Sequence, residues 1–444
     1  MPSWLKEGRG SLCGANVSLL LREMGITKPL LVAGERTKNV FFARTGMRLP
    51  VFDAFHPNPD LQDCVAGAAL YQEKDCDGLI SVGGGSAMDT AKGIKALLMT
   101  DIAHVRANQL PPEGNVPHLA IPGTAGTGAE TTAVAVLYED GQKLSVDHPA
   151  LLPDGVLLDG SLLDTLPEYH RKSCAMDALA QGIESWWAKK ATPGSRIHAE
   201  RAIRGVLDNL TAYMQGDRKA QDEMLHAAYE SGVAILTTRT TAAHAMSYQI
   251  TKKLGAAHGH ACMLTLPHLW AHLAAQAEYQ PMLTELAHIL GGEKPMDGAV
   301  LLKGLLAVLK LDKIPMPDDA TLDMLAASVN PERLGNHPEA LTTAQLRAIY
   351  VQAFTPMTKH TFRNALLTVI TVVGQGFISA LAGAAVVERL FNIPGMGSLM
   401  VDSIEKRDYQ VIQAITLLIA MLNVFINLII DLIYGLADPR IRLD

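Results

Sequence analysis

Two stretches without a single charged residue, Asn364 to Val387 (24 residues) and Tyr409 to Ile430 (22 residues), constrain this chain more than anything else in it. About 20 apolar residues in a helix suffice to cross the hydrocarbon core of a bilayer. A helix that is apolar on every face is at home in lipid or deep inside a large core. Of the 38 Lys+Arg and 45 Asp+Glu in the 444 residues, the last 88 residues carry seven of each, so the sequence changes character near Phe354 to Thr358. Candidate membrane spans are therefore 364–387 and 409–436. His360 and Arg363 precede the first, and Arg440 and Arg442 follow the second. Basic flanks stay on the cytoplasmic side, so the pair is expected as a hairpin with both ends inside and the loop from Glu388 to Asp408 outside. Asn423, Asn427 and Asp431 recur every four residues, which puts them on one face, turned from lipid.

The remainder has the composition of a folded protein. Hydrophobic residues make up 48% and charged residues 19%, which excludes intrinsic disorder. The formal charge of −7 lacks the positive field that duplex binding demands, so nucleic acid is not expected as a partner. Five scattered cysteines with no C-x-x-C pair argue against a disulfide framework and a structural zinc site, and for a reducing compartment. The opening MPSWLKEGRG has no apolar core of an export signal.

Up to about residue 163, apolar strand candidates (Leu30 to Ala33, Gly78 to Val82, His118 to Ile121) alternate with helical patterns. That rhythm predicts an α/β domain with a parallel sheet and crossover helices, suited to a dinucleotide. From 164 to 355 strand signals fade, and long helical patterns such as Met176 to Trp187, Ser195 to Leu210 and Ala220 to Leu236 predict an all-helical domain. The third part, 356–444, holds the two spans.

Two loops carry the chemistry. Gly83-Gly84-Gly85-Ser86-Ala87-Met88-Asp89-Thr90-Ala91-Lys92 follows a strand candidate and opens a helix, where close-packing glycines and helix-start N–H groups can hold a pyrophosphate. A triple glycine also makes an ordinary tight turn. The second loop, Gly123-Thr124-Ala125-Gly126-Thr127-Gly128-Ala129-Glu130-Thr131-Thr132, again follows a strand. Together they resemble the iron-containing (group III) alcohol dehydrogenases, marked by GGGS-x-x-D-x-x-K and T-x-G-T-G-[SA]-E-x-T. Pro57-Asn58-Pro59, Lys143 and Leu151-Leu152-Pro153-Asp154 fit the same pattern, which reaches to about Phe354. By resemblance, Asn58, Gly84, Gly85, Ser86, Asp89, Thr124, Thr127 and Lys143 would contact the cofactor. The implied fold is a dinucleotide-binding α/β domain followed by an all-α metal-binding domain.

Asp177 and Gln181 lie four apart on an expected helix and so share a face, and His244 and His258 are 14 residues apart. In the family the metal is held by an aspartate, a histidine four residues later, and two histidines 14 apart. The resemblance thus implies Asp177, His244 and His258 as ligands, with Gln181 as a weaker neutral donor where the family has histidine. One carboxylate and two imidazoles suit Fe(II) or Zn(II). Many members carry another histidine where this chain has Tyr248, so the proton donor is expected to be Tyr248, His260 or a water relay. The runs around Asp177 and His258 look most like the phosphonoacetaldehyde-reductase branch, implying a small aldehyde with an anionic head group and basic side chains near the metal. Gly34, Glu35 and Arg36 follow the first strand candidate. NAD is the expected cofactor, with NADP open.

The tail, through Arg363-Asn364-Ala365-Leu366-Leu367, Phe391-Asn392-Ile393-Pro394-Gly395-Met396-Gly397, Arg407-Asp408-Tyr409 and Asp438-Pro439-Arg440-Ile441-Arg442, resembles the last two spans of dipeptide/nickel-type ABC transporter permeases. Two helices cannot enclose a translocation path, so no transport by this tail alone is expected. The reading of the whole is a metal-dependent NAD(P) alcohol dehydrogenase/aldehyde reductase whose cytoplasmic catalytic part is tethered to the inner membrane. Its alternatives are a chimaera with an inactive or merely cofactor-binding enzyme part, and a transporter component with a vestigial one. A homodimer is left open.

Overall fold

The computed structural model describes residues 6–112, 116–355 and 395–437. The candidate span 364–387 lies outside the described residues. Eight strands are described: β1 (Lys6–Arg9), β2 (Pro29–Ala33), β3 (Val51–Phe52), β4 (Gly78–Gly83), β5 (His118–Pro122), β6 (Val134–Glu139), β7 (Gln142–Asp147) and β8 (Gly155–Leu158). β6 and β7 pair as an antiparallel hairpin, and the other six form one parallel sheet in the order β1-β8-β5-β4-β2-β3. Every residue of β2, β4 and β5 is buried, as expected of a sheet covered on both faces. Successive side chains divide between the two cores. Leu30, Val32 and Leu79 join Leu61 and Ile94 on one face, whereas Leu31, Ala33, Ile80 and Val82 join Val17 and Phe41 on the other.

The covering helices are α1 (Gly14–Glu23), α2 (Glu35–Thr45), α3 (Leu61–Glu73), α4 (Gly85–Met99) and the short α5 (Ile102–Arg106). β4 and β5 are adjacent and in register, with Gly83 opposite Pro122. Both glycine loops therefore leave the sheet side by side at the carboxyl ends of neighbouring strands, where an α/β sheet presents its ligand crevice. This matches the expected α/β architecture and its three strand candidates.

Five long helices follow: α6 (Glu168–Trp187), α7 (Pro193–Met214), α8 (Arg218–Thr238), α9 (Ala242–Leu254) and α10 (His258–Ala274). Three of them extend past the ends expected from apolar spacing. α7 begins at Thr192, whose hydroxyl accepts from Ser195 N, with Pro193 in the first turn, and α8 begins at Asp217, which accepts from Ala220 N. Caps of this kind satisfy orphan N–H groups with polar side chains that an apolar pattern does not register. The first two turns of α6, from Glu168, are polar and were invisible for the same reason.

After these come α11 (Gln280–Leu290), α12 (Asp297–Val308), α13 (Asp319–Ala327), α14 (Pro331–Leu334), α15 (Thr343–Phe354), α16 (Met396–Glu405) and α17 (Tyr409–Ala437). The chain divides into two compact units, residues 1–269 with 317–351, and residues 270–316 with 352–444. In the second, Trp270 donates through Nε1 to Pro295 O at 2.6 Å and fills the space left by Gly298 at the start of α12. α17 is a single helix over the second candidate span. Its segment Tyr409–Leu428 is long and apolar enough to cross a bilayer, and only 6% of it is buried. Among the described residues no other helix meets that test, so the first arm of the expected hairpin has no described counterpart.

Candidate metal centre and cofactor loops

Four donor atoms, from Asp177 on α6, His244 on α9, and His258 and Cys262 on α10, lie within 4.8 Å of one another. His244 Nε2 is 3.2 Å and His258 Nε2 4.0 Å from Asp177 Oδ1, and Cys262 Sγ is 3.8 Å from His258 Nε2. The close crossing of α10 over α6 makes this possible. A Cβ on Gly259 would lie 2.0 Å from Ser173 O and 2.6 Å from Asp177 Cβ, so only glycine fits between the two helices.

The hydrogen bonds behind the imidazoles fix which ring nitrogen faces the cluster. His244 Nδ1 is paired with Glu184 Oε2, and Glu184 Oε1 accepts from Ala243 N at 2.8 Å, Thr241 N at 3.2 Å and Thr241 Oγ1 at 2.5 Å. An acceptor with no proton of its own requires Nδ1–H on His244, so Nε2 is the nitrogen turned to the cluster. For His258 the partner is Ser247 Oγ at 3.2 Å, and that hydroxyl spends its one hydrogen on His244 O at 2.8 Å. Ser247 must then accept from His258 Nδ1–H, and Nε2 is the nitrogen that His258 turns to the cluster. Burial would raise the Asp177 carboxyl, yet the imidazoles of His258 and His244 and a bond from Gln181 hold it below the usual range. Burial likewise opposes ionisation of Cys262, but His244 and His258 bring the thiol down to about 7.

Gln181, one turn after Asp177 on α6, lies beside this cluster. Its Nε2 donates to Thr127 O at 3.2 Å, and its Oε1 faces Ser231 Oγ at 2.8 Å. The Thr127 carbonyl demands a nitrogen at that end, so the amide links the second glycine loop to the Asp177 carboxylate rather than offering it an oxygen. Sequence reasoning missed Cys262 and Glu184. Both had a signal of spacing: Cys262 lies four residues after His258, and Glu184 seven after Asp177, one and two helical turns along the same faces.

The cofactor candidates converge at the sheet end. Gly123 N donates to Gly83 O at 2.7 Å, and a Cβ on Gly84 or Gly85 would stand 3.1 Å from Thr124 Cγ2 or 3.4 Å from Thr127 Cγ2. Asn58, in the left-handed region at φ 60°, brings its N–H to 3.4 Å from Ser86 Oγ. Asp89 sits one turn into α4, where burial pushes its carboxyl up against the opposing pull of Lys92 and Lys143. The fully buried Lys92 donates to Ala129 O, Val134 O and Thr132 Oγ1, which fastens the second loop to the hairpin.

Lys143, on β7, places Nζ 3.5 Å over the ring of Tyr248. That ring stacks on His258, with centroids 5.8 Å apart and planes 5° from parallel. Burial would raise the Tyr248 phenol, but the positive charges of Arg333, Lys143, His258 and His244 lower it to about 8. His260, two residues from His258 and so on another side of α10, turns to Tyr169, its Nδ1 3.0 Å from that hydroxyl. It stands outside the four-donor cluster.

Residues 3–160 match the family model described as iron-containing alcohol dehydrogenase, and residues 172–354 match the C-terminal part of the same family. Residues 342–443 match the binding-protein-dependent transport system inner membrane component. The NAD-dependent methanol dehydrogenase of Bacillus methanolicus is 30% identical over 63% of this chain and 77% of its own length. The phosphonoacetaldehyde reductase of Streptomyces viridochromogenes is 35% identical over 48% of this chain, which spans 58% of that protein. Among solved structures, sulfoacetaldehyde reductase from Bifidobacterium kashiwanohense in complex with NAD+ superposes with a TM-score of 0.72 at 26% identity, covering 80% of this chain and 97% of that one.

Proposed function

Because the chain belongs to the iron-containing alcohol dehydrogenase family, we propose that it interconverts a small aldehyde and its alcohol with a nicotinamide cofactor, at a divalent metal held by Asp177, His244 and His258. The observation that carries this reading is that both imidazoles turn Nε2 toward one carboxylate oxygen of Asp177, each held at Nδ1 by Glu184 or Ser247. The donor set of one hard oxygen and two imidazoles fits a divalent transition metal. When bound there, the metal supplies Lewis-acid polarisation of a carbonyl oxygen and the nicotinamide supplies hydride. Residues 1–163 would bind the dinucleotide, through Asn58, Gly84, Gly85, Ser86, Thr124 and Thr127, and residues 164–355 would carry the metal. NAD is the cofactor we favour.

Tyr248 is the group we assign to proton transfer. Its hydroxyl belongs to a ring stacked on His258, and the neighbouring cations lower its pKa to about 8, near the working range of a general acid. The same cations, Lys143 and Arg333, support an anionic head group on the substrate, phosphonate or sulfonate. Purified full-length chain, loaded with metal, is expected to oxidise NADH with phosphonoacetaldehyde or sulfoacetaldehyde in preference to acetaldehyde. Absence of turnover with every aldehyde and both nicotinamide cofactors would refute the enzymatic reading. Equal turnover of acetaldehyde would refute the anionic substrate alone.

We also infer that α17 seats in a bilayer and tethers the catalytic part to the inner membrane. Leu417, Met421, Val424, Phe425 and Leu428 are all exposed on it, a continuous apolar surface that water disfavours.

A further inference from the structure

Asp177, His244 and His258 offer three donors, and the resemblance to the family implies a fourth position at Gln181. The position of that side chain is visible in the geometry. Gln181 turns its amide nitrogen to Thr127 O and Asp177, so its side chain buttresses the carboxylate. Cys262 stands in the opposite situation. It is buried, one turn along α10 from His258, and its Sγ lies within 4.8 Å of the donor atoms of Asp177, His244 and His258.

We propose that Cys262 Sγ supplies the missing fourth ligand, making a carboxylate–imidazole–imidazole–thiolate site that selects Zn(II) over Fe(II). This rests on the metal reading of the preceding section. Thiolate is the softest donor a protein offers, and mixed sulfur and nitrogen sets of four are characteristic of zinc. The exchange also changes charge. Two anionic ligands balance a divalent ion completely, where one carboxylate with three neutral imidazoles leaves a net positive charge. A site of this kind would withdraw less electron density from a carbonyl oxygen.

The test uses full-length protein stripped with a chelator and refilled with Co(II), whose visible d–d bands report site geometry and whose near-ultraviolet thiolate-to-metal band reports sulfur ligation. Wild type is expected to show both, and Gln181→Ala to keep both. Cys262→Ser is expected to keep d–d bands and lose the thiolate band. Offered equimolar Fe(II) and Zn(II) anaerobically, wild type should retain zinc, and C262S should lower the bound zinc-to-iron ratio by about tenfold or more. Cobalt d–d bands without a thiolate band in wild type would overturn the cysteine assignment and leave the metal reading standing. No cobalt bound by wild type would overturn both. The wild-type spectrum decides the matter even if C262S fails to fold, and an unchanged zinc-to-iron ratio in a folded C262S would overturn the selectivity.

Discussion

At the scale of single residues, the candidate centre depends on groups that never face the cluster. Glu184 holds His244 by Nδ1 and is itself fixed by three bonds from Thr241 and Ala243. Replacing it by Gln removes the charge and lets the amide present an N–H to the ring, which inverts the tautomer. Metal affinity should fall about 10- to 100-fold with the far-ultraviolet circular dichroism unchanged, as measured by competition with a chromophoric chelator. An unaltered affinity would show that Glu184 is structural only. A second buried carboxylate contributes to acid stability. Burial alone would raise Asp159, but bonds from Leu12 N, Ser161 and Arg218 hold its pKa below the usual range. A depressed folded pKa stabilises the native state above the unfolded value of about 3.9 and loses that contribution as pH falls through the folded value. Asp159→Asn is therefore expected to be clearly less stable than wild type at pH 7, with the gap closing in the acid range below about pH 4. Urea titrations across that range measure it, and a gap independent of pH would contradict the assignment.

At the scale of elements, the crossing of α10 over α6 decides whether the proposed ligands meet. Gly259→Ala puts a methyl group onto Ser173 O, so the helices must separate, at a cost of about 1–3 kcal/mol and with loss of bound metal. Differential scanning calorimetry and metal analysis would detect it, and a variant as stable and as metal-rich as wild type would contradict the close crossing. Elements were also where the sequence was most readable. The cores of β2, β4 and β5 and of α6 to α8 were legible because buried strands are uniformly apolar and long helices repeat their apolar face. Their ends were less so, since Thr192, Asp217 and the polar start of α6 carry no apolar signal. In the candidate site, Asp177, His244 and His258 could be named from resemblance alone. Cys262 and Glu184 could not, because the spacing that links each to a named residue recurs in any helix and gains meaning only once the crossing is known. The resemblance implies Gln181 as a donor by position alone, and which end of its amide faces Asp177 depends on Thr127, 54 residues away.

At the scale of the whole molecule, one chain matches the dehydrogenase family over residues 3–160 and 172–354 and a transport-system membrane component over residues 342–443. Four-fifths of this chain covers 97% of the solved reductase. Full-length protein is expected in the membrane fraction after cell breakage, and a chain ending at residue 355 in the supernatant with its aldehyde reductase activity intact. Activity of the full-length protein confined to the supernatant would argue against the tether. The two family matches overlap at residues 342–354, the span of α15. On that helix Tyr350 donates its hydroxyl to Met246 O at 2.8 Å, two residues along α9 from His244. A pull on α15 would therefore act through this phenol on the backbone of α9, the helix that carries an imidazole of the centre.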